Sequence, residues 1–480
     1  MKRKYSDTIC IDNETVEVYK KKFSNSNVDK LAKNVITNVG LLHGSTDHTE
    51  TTKISHVFLN TIKKKNLKAT NQGSSGRCWL FSGLNIFRHH VIKALDLENF
   101  EFSETYLFFW DKFERSNSYL HWISEYTLKH VKIDTNDPLY NYFVEKDKWM
   151  SDGGYWSFFA NLVDKYGLIP KDAMPETFQS EYSEDMNQII IDILHSAVIQ
   201  MINNKLQINK IKEKTLENIF NILVKFLGEP PKTFQWSFTN ENGESTSISK
   251  LTPFKFREMV LPGIKMEDFI LLSNIPSDKF KFFKKYSIKN TNNVLEKNRC
   301  EVINVNITDI KLASRKSLLN GMPVWFAGDV GKSFHPLFST LNDKVFNSDL
   351  LLNKGVKINK KDRIFITNQK TTHAMTFVGV NLDKSGKTTS WQVENSWGFY
   401  DHETPGMDGF LCMDDDWFDE YVGEVVIHKK FLSRKITKIL DEKPIEIEPW
   451  ESVTPALKVE GQKYYNMNLD LFKKINKSFM

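Results

Sequence analysis

Hydrophobic periodicity changes along this chain, from a helical spacing in the first part to short β-rich runs in the last third. After Cys78 the apolar residues recur at the i, i+3, i+4 and i+7 positions of an amphipathic helix. Between Gly, Asn and Asp turns, the last third holds four β-rich runs, at residues 324–327, 374–380, 391–394 and 424–427. Helices first and strands later predict an α+β fold.

Composition is typical of a globular protein. The chain has 480 residues, 40% of them apolar and 26% charged, which predicts two to four domains or one core with large insertions. The net charge of +5 is mild, so nucleic acid is a partner that the sequence permits but does not require. The chain shows neither a secretory signal nor a run of roughly 20 apolar residues. We therefore expect a cytoplasmic protein that binds no membrane.

Four cysteines, Cys10, Cys78, Cys300 and Cys412, are too few for a disulfide framework and form no CxxC pair. We expect a reduced compartment and free thiols. Cys78 differs from the others because it follows a glycine-serine loop at the start of a predicted helix, where the partial positive charge of the helix end favours a thiolate. Most cysteines at the start of an apolar helix are small core residues, so this feature alone is weak evidence for a reactive thiol.

Three further residues have the chemistry that a reactive thiol needs. His373 lies at the start of a predicted strand, at an edge that we expect to be exposed, and it could act as a general base. Asn395 ends the next predicted strand, where its amide oxygen could fix the orientation and tautomer of the imidazole, shielded from water by Trp397. Gln72 lies six residues before Cys78, and its amide could stabilise an oxyanion together with the backbone N–H of Cys78.

These residues lie in segments that closely resemble the bleomycin hydrolase family, the oligomeric branch of the papain-like cysteine peptidases. The catalytic motifs of that family are matched by residues 72–82, 372–375 and 394–398. Other segments that look like the family are residues 102–112, 152–154, 165–171, 324–332 and 409–422. The resemblance covers nearly the whole chain, from about residue 55 to residue 458.

The resemblance implies a papain-like core of two lobes, one helical and one β-rich, with a large helical and hook-like insertion and a C-terminal arm. The insertion explains why the separation of Cys78 and His373 is about twice that of a simple papain-like enzyme. In the family this insertion assembles six subunits into a hollow barrel, so a homohexamer is expected. The implied segments are 1–60 (N-terminal segment), 61–170 (helical lobe with Cys78), 171–300 (insertion), 301–435 (β-rich lobe with His373 and Asn395) and 436–480 (arm with an extra tail).

The resemblance also implies an activity, the hydrolysis of peptide substrates through a thioester acyl-enzyme without metal or cofactor. Cys78 would be the nucleophile, His373 the general base, Asn395 the residue that orients the histidine, and Gln72 an oxyanion donor. The implied substrate-binding residues are Gly153, Gly154, Trp79 and Trp397.

The end of the chain departs from the family pattern. In the family the terminal carboxylate of the arm lies in the cleft and receives the free amine of the substrate, which makes these enzymes aminopeptidases. Residues 447–458 resemble that arm, but the sequence continues from Val459 to Met480. We expect this tail to block the cleft until it is trimmed or to remove the exopeptidase restriction, unless it simply leaves through the centre of the barrel.

Other readings of the sequence are weaker. A nucleic-acid-binding barrel or an inactive homologue are alternatives, and a transglutaminase-like acyl transferase ranks third because those enzymes usually have aspartate where this chain has Asn395. Residues 328–333 suggest a nucleotide loop, but Phe326 stands where a glycine is required. The His89-His90 pair lacks the spacing of a zinc motif.

Overall fold

The computed structural model describes residues 11–451, apart from 131, 133, 135, 145–148, 354–357, 367–370 and 399–408. The expectations for Cys10 and for residues 452–480, which include the extra tail, therefore lie outside the described residues. The chain divides into two compact units, residues 1–54 with 342–358 and residues 55–341 with 359–480. The five segments inferred from the sequence stay a prediction.

The described residues form sixteen α-helices and fourteen strands. The helices are α1 (Asn13–Asn25), α2 (Asn27–Ser45), α3 (His48–Thr51), α4 (Cys78–Ala94), α5 (Glu104–Lys129), α6 (Pro138–Val144), α7 (Trp156–Tyr166), α8 (Phe178–Glu181), α9 (Glu184–Asn203), α10 (Ile208–Leu227), α11 (Pro253–Val260), α12 (Ile307–Leu319), α13 (Ser348–Leu352), α14 (Lys360–Phe365), α15 (Asp415–Tyr421) and α16 (Arg434–Thr437). The strands are β1 (Asn60–Thr61), β2 (Phe234–Thr239), β3 (Ser245–Leu251), β4 (Phe269–Ser273), β5 (Lys284–Ile288), β6 (Glu301–Asn304), β7 (Val324–Gly328), β8 (Phe334–His335), β9 (Thr340–Leu341), β10 (His373–Leu382), β11 (Thr388–Glu394), β12 (Phe410–Asp414), β13 (Val422–His428) and β14 (Ile445–Ile447). Among the helices that are described, none has the length and hydrophobicity needed to cross a membrane.

The smaller unit is helical, and α1, α2, α3 and α13 belong to it. Polar caps begin its first two helices. Asp12 accepts the backbone N–H of Thr15, and Ser26 accepts that of Asp29, which satisfies donors that a helix start leaves free.

The larger unit is built on one mixed sheet with the order β14-β5-β6-β4-β13-β7-β10-β11-β12-β9-β8, and β1 also pairs with β10. Helix α4 packs on one face, in a core that includes Leu80, Leu84, Phe87 and Val91. This is the apolar face that the sequence predicts. Burying each such side chain contributes about 2 kcal/mol. Together with the mixed sheet, the helical layer confirms the α+β fold class.

Two local predictions can be compared with the structure. The hairpin expected around residues 233–249 is formed by β2 and β3, and Gly243 in its turn has a φ of 82°, a conformation that suits glycine. The exposed edge expected for His373 is wrong. Strand β10 lies between β7 and β11 in the sheet interior, and His373 is buried, because the strand is covered on both faces and its apolar run reflects that burial.

Candidate active site

Cys78 is the first residue of α4, and its side chain keeps part of its surface open to solvent. The backbone N–H groups of Ala374, Trp79 and Cys78 itself face the sulfur. Dense packing around the sulfur disfavours the thiolate and raises the pKa of Cys78 to about 11, while these N–H groups act in the opposite direction. The sulfur therefore lies directly beside the start of β10, where His373 precedes Ala374.

Helix α4 is bound to β10 by side-chain hydrogen bonds. One turn after Cys78, Ser82 donates its hydroxyl to the carbonyl of Met375 over 2.6 Å, and Thr376 returns a hydrogen bond to the carbonyl of Ser82 over 3.1 Å. Both bonds are buried, so they hold the nucleophile's helix in register with the strand of the histidine. Residues 78 and 373 are thereby brought to one place although they lie far apart in the sequence.

His373 is oriented by Asn395. Its Nε2 lies 2.7 Å from Asn395 Oδ1, and the backbone N–H of Ser396 also donates to that oxygen over 2.8 Å. Because Oδ1 accepts from both, Nε2 carries the proton and Nδ1 is left as the basic nitrogen. Burial lowers the pKa of His373 to about 4, and the bond to Asn395 opposes part of that change. The imidazole is thus held neutral in the tautomer that a general base requires.

Trp397 covers the histidine. Its ring is stacked on that of His373, with centroids 4.8 Å apart and an angle of 27° between the planes. The backbone of Trp397 pairs with that of Asn71, and the N–H of Gly398 donates to the carbonyl of Thr70. The shielding expected of Trp397 fits this position, while its contact with a substrate stays a prediction.

Gln72 is buried beside the same residues. Its backbone N–H donates to the carbonyl of Ser396 over 2.8 Å, and its side-chain oxygen accepts the hydroxyl of Ser396 over 2.5 Å. The amide nitrogen donates one hydrogen to the carbonyl of Ser75 over 2.5 Å. The second hydrogen of that nitrogen remains for a further acceptor, which is the requirement for an oxyanion donor.

Gly154 lies against Trp79 in the helix that begins at Cys78, and the carbonyl of Gly153 accepts a hydrogen bond from Arg115. A Cβ on Gly154 would be 2.6 Å from Cε2 of Trp79, so the close approach requires glycine. The indole N–H of Trp79 donates to the carbonyl of Asp152 over 2.7 Å, and Trp79 is only 1% exposed. Trp79 therefore contacts Gly154 and is hydrogen-bonded to the residue before the glycine pair. Direct contact of Trp79, Gly153 or Gly154 with a substrate stays a prediction.

Sequence reasoning missed the buried charges that hold this site. Asp152 accepts the backbone N–H of Gly76 over 3.1 Å, and it forms an ion pair with Lys112 at 2.8 Å. Burial alone would raise the pKa of Asp152, but the Lys112 ammonium and the hydrogen bonds of the carboxylate outweigh it and hold the pKa well below its usual range. The sequence signal that could have indicated this role is the position of Asp152 directly before Gly153 and Gly154.

A second buried ion network stands behind Asn395. Glu394 pairs with Arg88 at 2.8 Å and with His89 at 2.6 Å. Arg88 also donates to the carbonyls of Phe100 and Lys68. These bonds connect α4 with the end of β11, which carries Asn395. Among the residues that the structure describes, no group of three or more His, Cys, Asp or Glu side chains could hold a metal ion.

Comparison with known proteins gives a consistent result. Residues 10–454 match the Peptidase C1-like family. The chain is 34% identical to human bleomycin hydrolase over 451 residues, which cover 92% of this chain and 97% of that protein. It is 32% identical to aminopeptidase C of Listeria monocytogenes over 442 residues, which cover 91% and 97% of the two chains. The crystal structure of PepW from Lactobacillus rhamnosis has a TM-score of 0.87 and 27% identity, and the match covers 94% of this chain and 100% of PepW.

Proposed function

The chain belongs to the Peptidase C1-like family and is a cysteine-type peptidase; from this premise we propose that it is a papain-like aminopeptidase acting through Cys78, His373 and Asn395. The observation that supports the assignment of residues is the 2.7 Å bond between His373 Nε2 and Asn395 Oδ1, next to Ala374, whose backbone N–H faces the Cys78 sulfur. This arrangement supports a nucleophile, a base and an orienting amide that act together.

The reaction follows from this geometry. Nδ1 of His373 takes the proton of Cys78, and the thiolate attacks the carbonyl carbon of the peptide bond. The resulting oxyanion accepts hydrogen bonds from the Gln72 amide and the backbone N–H of Cys78. His373 then gives its proton to the leaving amine as the C–N bond breaks. Water attacks the thioester with His373 again as base, and the acid product and the free thiol are released.

The aminopeptidase part of the proposal is supported by the names of the relatives, among them aminopeptidase C of Listeria monocytogenes and aminopeptidase E of Lactobacillus helveticus, which is 32% identical over 449 residues. The test uses a pair of peptides that differ only in a free or an acetylated α-amino group. We expect cleavage of the free peptide, one residue at a time, and loss of at least 100-fold in kcat/KM on the acetylated one. Intact-mass analysis of the protein used shows whether its C-terminal residues are present. Equal cleavage of both peptides would contradict aminopeptidase activity.

The nucleophile is tested separately with Cys78→Ala. This variant should lose hydrolysis of the free peptide while its circular dichroism and thermal unfolding stay close to those of the parent. The matched control is Cys412→Ala, because burial raises the pKa of Cys412 to about 12 and makes it an inert thiol. Hydrolysis that survives in Cys78→Ala would refute the assignment.

We further propose that the protein assembles as a homohexamer in a reducing, cytoplasmic compartment. Large apolar side chains are exposed on the helices and turns that follow residue 177, namely Phe178, Tyr182, Ile199 and Leu206, and such a set is typical of protein contacts. The cysteines that the structure describes, Cys78, Cys300 and Cys412, are free, which is typical of a reducing compartment. Light scattering coupled to gel filtration measures the mass, and a monomeric mass would contradict the assembly.

A further inference from the structure

The loop that leads into Cys78 is held by a distant segment of the chain. We name residues 72–77 the approach loop and residues 176–187 the brace segment. The brace segment lies in the region for which the sequence predicts only a role in assembly. Its contacts with the approach loop are buried and specific, and they involve the backbone around Gln72 and Gly76.

The first contact is an ion pair with the geometry of a fork. Arg77 is fully buried, and its Nη2 and Nη1 lie 2.7 Å and 3.2 Å from the two carboxylate oxygens of Glu176. Such a bidentate pair fixes the guanidinium in direction as well as in place. Ser180 donates its hydroxyl to the same carboxylate over 2.5 Å, so Glu176 is itself held in one position.

The other edge of the guanidinium holds the approach loop. Its Nε donates to the hydroxyl oxygen of Ser75 over 2.7 Å, and Nη2 also donates to the carbonyl of Gln72 over 3.3 Å. Ser75 in turn donates its hydroxyl to the Gln72 carbonyl and accepts the Gln72 side-chain amide at its own carbonyl. The position of the Gln72 amide nitrogen therefore depends on Arg77, and that of Arg77 on Glu176.

Two more contacts come from the same brace segment. Ser183 and Asn187 donate to the carboxylate of Asp152, which accepts the N–H of Gly76. Gly73 has a φ of 61°, and a Cβ there would be 2.8 Å from Cβ of Glu181. Contacts therefore hold the approach loop at Gly73, at Gly76 and at Arg77.

We propose that Glu176, acting through Arg77, is a positioning residue for the oxyanion donors at Gln72 and at the backbone N–H of Cys78. This inference rests on the proposed peptidase activity. The charge of Arg77 is neutralised by Glu176, so the pair acts on where the donors lie and not on whether Cys78 ionises. Misplacing preorganised donors by a fraction of an ångström lowers turnover without weakening substrate binding.

The test is Glu176→Gln in the full-length chain, with three measurements. We expect kcat on the free peptide to fall about 30-fold with KM within about 2-fold, since the lost stabilisation exists only in the transition state. Affinity for a peptide aldehyde, whose adduct carries an oxyanion, should fall in proportion to kcat. Alkylation of Cys78 by iodoacetamide should not fall, because that displacement forms no oxyanion and the Arg77 charge left unpaired in the variant favours the thiolate.

The matched control is Glu446→Gln, which removes the exposed pair of Arg299 and Glu446 at 2.9 Å and should change none of the three quantities. Glu176→Asp keeps the charge with a shorter side chain and should give an intermediate loss of kcat, which keeps the proposal testable if the glutamine variant does not fold. An unchanged kcat in a folded variant overturns the proposal, and so does an alkylation rate that falls as much as kcat. A parent enzyme that cleaves no peptide would instead refute the proposed function.

Discussion

This protein has two groups of buried ionisable residues, and the groups differ in the partners that their side chains have. In the framework group, Glu394 with Arg88 and His89, and Asp152 with Lys112, each buried carboxylate has a basic side chain within 3 Å. In the proposed catalytic pair, N–H groups face the Cys78 sulfur and the neutral amide of Asn395 accepts from His373, while the Asp152 carboxylate disfavours the thiolate.

The difference has a physical consequence. Opposite charges offset the cost of burial, so the pKa values of Glu394 and Asp152 stay below their usual range and the paired groups fix the geometry. Without such charges, burial moves the pKa values of the catalytic pair apart, to about 11 for Cys78 and about 4 for His373. Between these two pKa values the pair holds one proton, which rests on the sulfur, and its transfer to the nitrogen is the step that makes the thiolate. The framework ion pairs thus fix the geometry, while Cys78 and His373 are the pair between which a proton is transferred.

The largest expected effect follows from removing the base. His373→Ala should lower kcat/KM for peptide hydrolysis by at least about 1,000-fold, the usual worth of a positioned general base, with little change in the denaturant midpoint. The control is His90→Ala, because His90 is exposed on the same helix as the nucleophile. Retention of a tenth or more of the parent activity in His373→Ala would remove the proton-sharing pair from the mechanism.

The next effect belongs to the framework. Glu394→Gln leaves Arg88 buried without a counter-charge, and it should lower the free energy of unfolding by about 3–5 kcal/mol. Urea denaturation measures this value. The comparison variant is Asp278→Asn, which removes the exposed pair with Lys361 and should leave the urea midpoint almost unchanged, since exposed ion pairs contribute little. A Glu394→Gln protein as stable as the parent would contradict the framework role.

A smaller effect is expected when a fixed charge is brought into the catalytic pair. The parent is active while Cys78 and His373 together hold one proton, and it takes up a second proton only when the pH falls below the lowered pKa of His373. The acid limb of the kcat/KM profile of the parent should therefore lie well below pH 6.5, the ordinary pKa of histidine. In Asn395→Asp a carboxylate stabilises the imidazolium and raises the pKa of His373. The acid limb should then move to higher pH by about one unit or more. A profile that does not move, or moves to lower pH, would show that residue 395 does not control the histidine.

The parts of this site that follow local patterns could be predicted from the sequence. Helix α4 begins at Cys78, where the glycine-serine loop ends and the 3.6-residue period begins. His373 begins β10 and Asn395 directly follows the neighbouring strand β11, as the two short β-rich runs suggest. Such features depend on residues close together in the chain, so their pattern is visible without coordinates.

The framework could not be predicted in the same way. Glu394 lies 306 residues from Arg88, and Arg77 lies 99 residues from Glu176. A side-chain pair over such a separation leaves no periodicity in the sequence. The sequence also does not distinguish a buried arginine from an exposed one, so it gives no sign that Arg77 and Arg88 are buried. The exposed edge expected for His373 failed for a related reason, because the coverage of β10 is set by elements distant in the chain.

The central claim is that Cys78 and His373 share one proton, and the pH dependence of Cys78 alkylation by iodoacetamide tests it most directly. In the parent, where transfer to His373 generates the thiolate, the rate should be independent of pH down to values well below 6.5, because His373 keeps its low pKa. In His373→Ala the sulfur stays buried but has no base to take its proton. Alkylation should then be slow at neutral pH and should rise only as the pH approaches the raised pKa of the buried Cys78 thiol, about 11. Identical profiles for the two proteins would contradict the account.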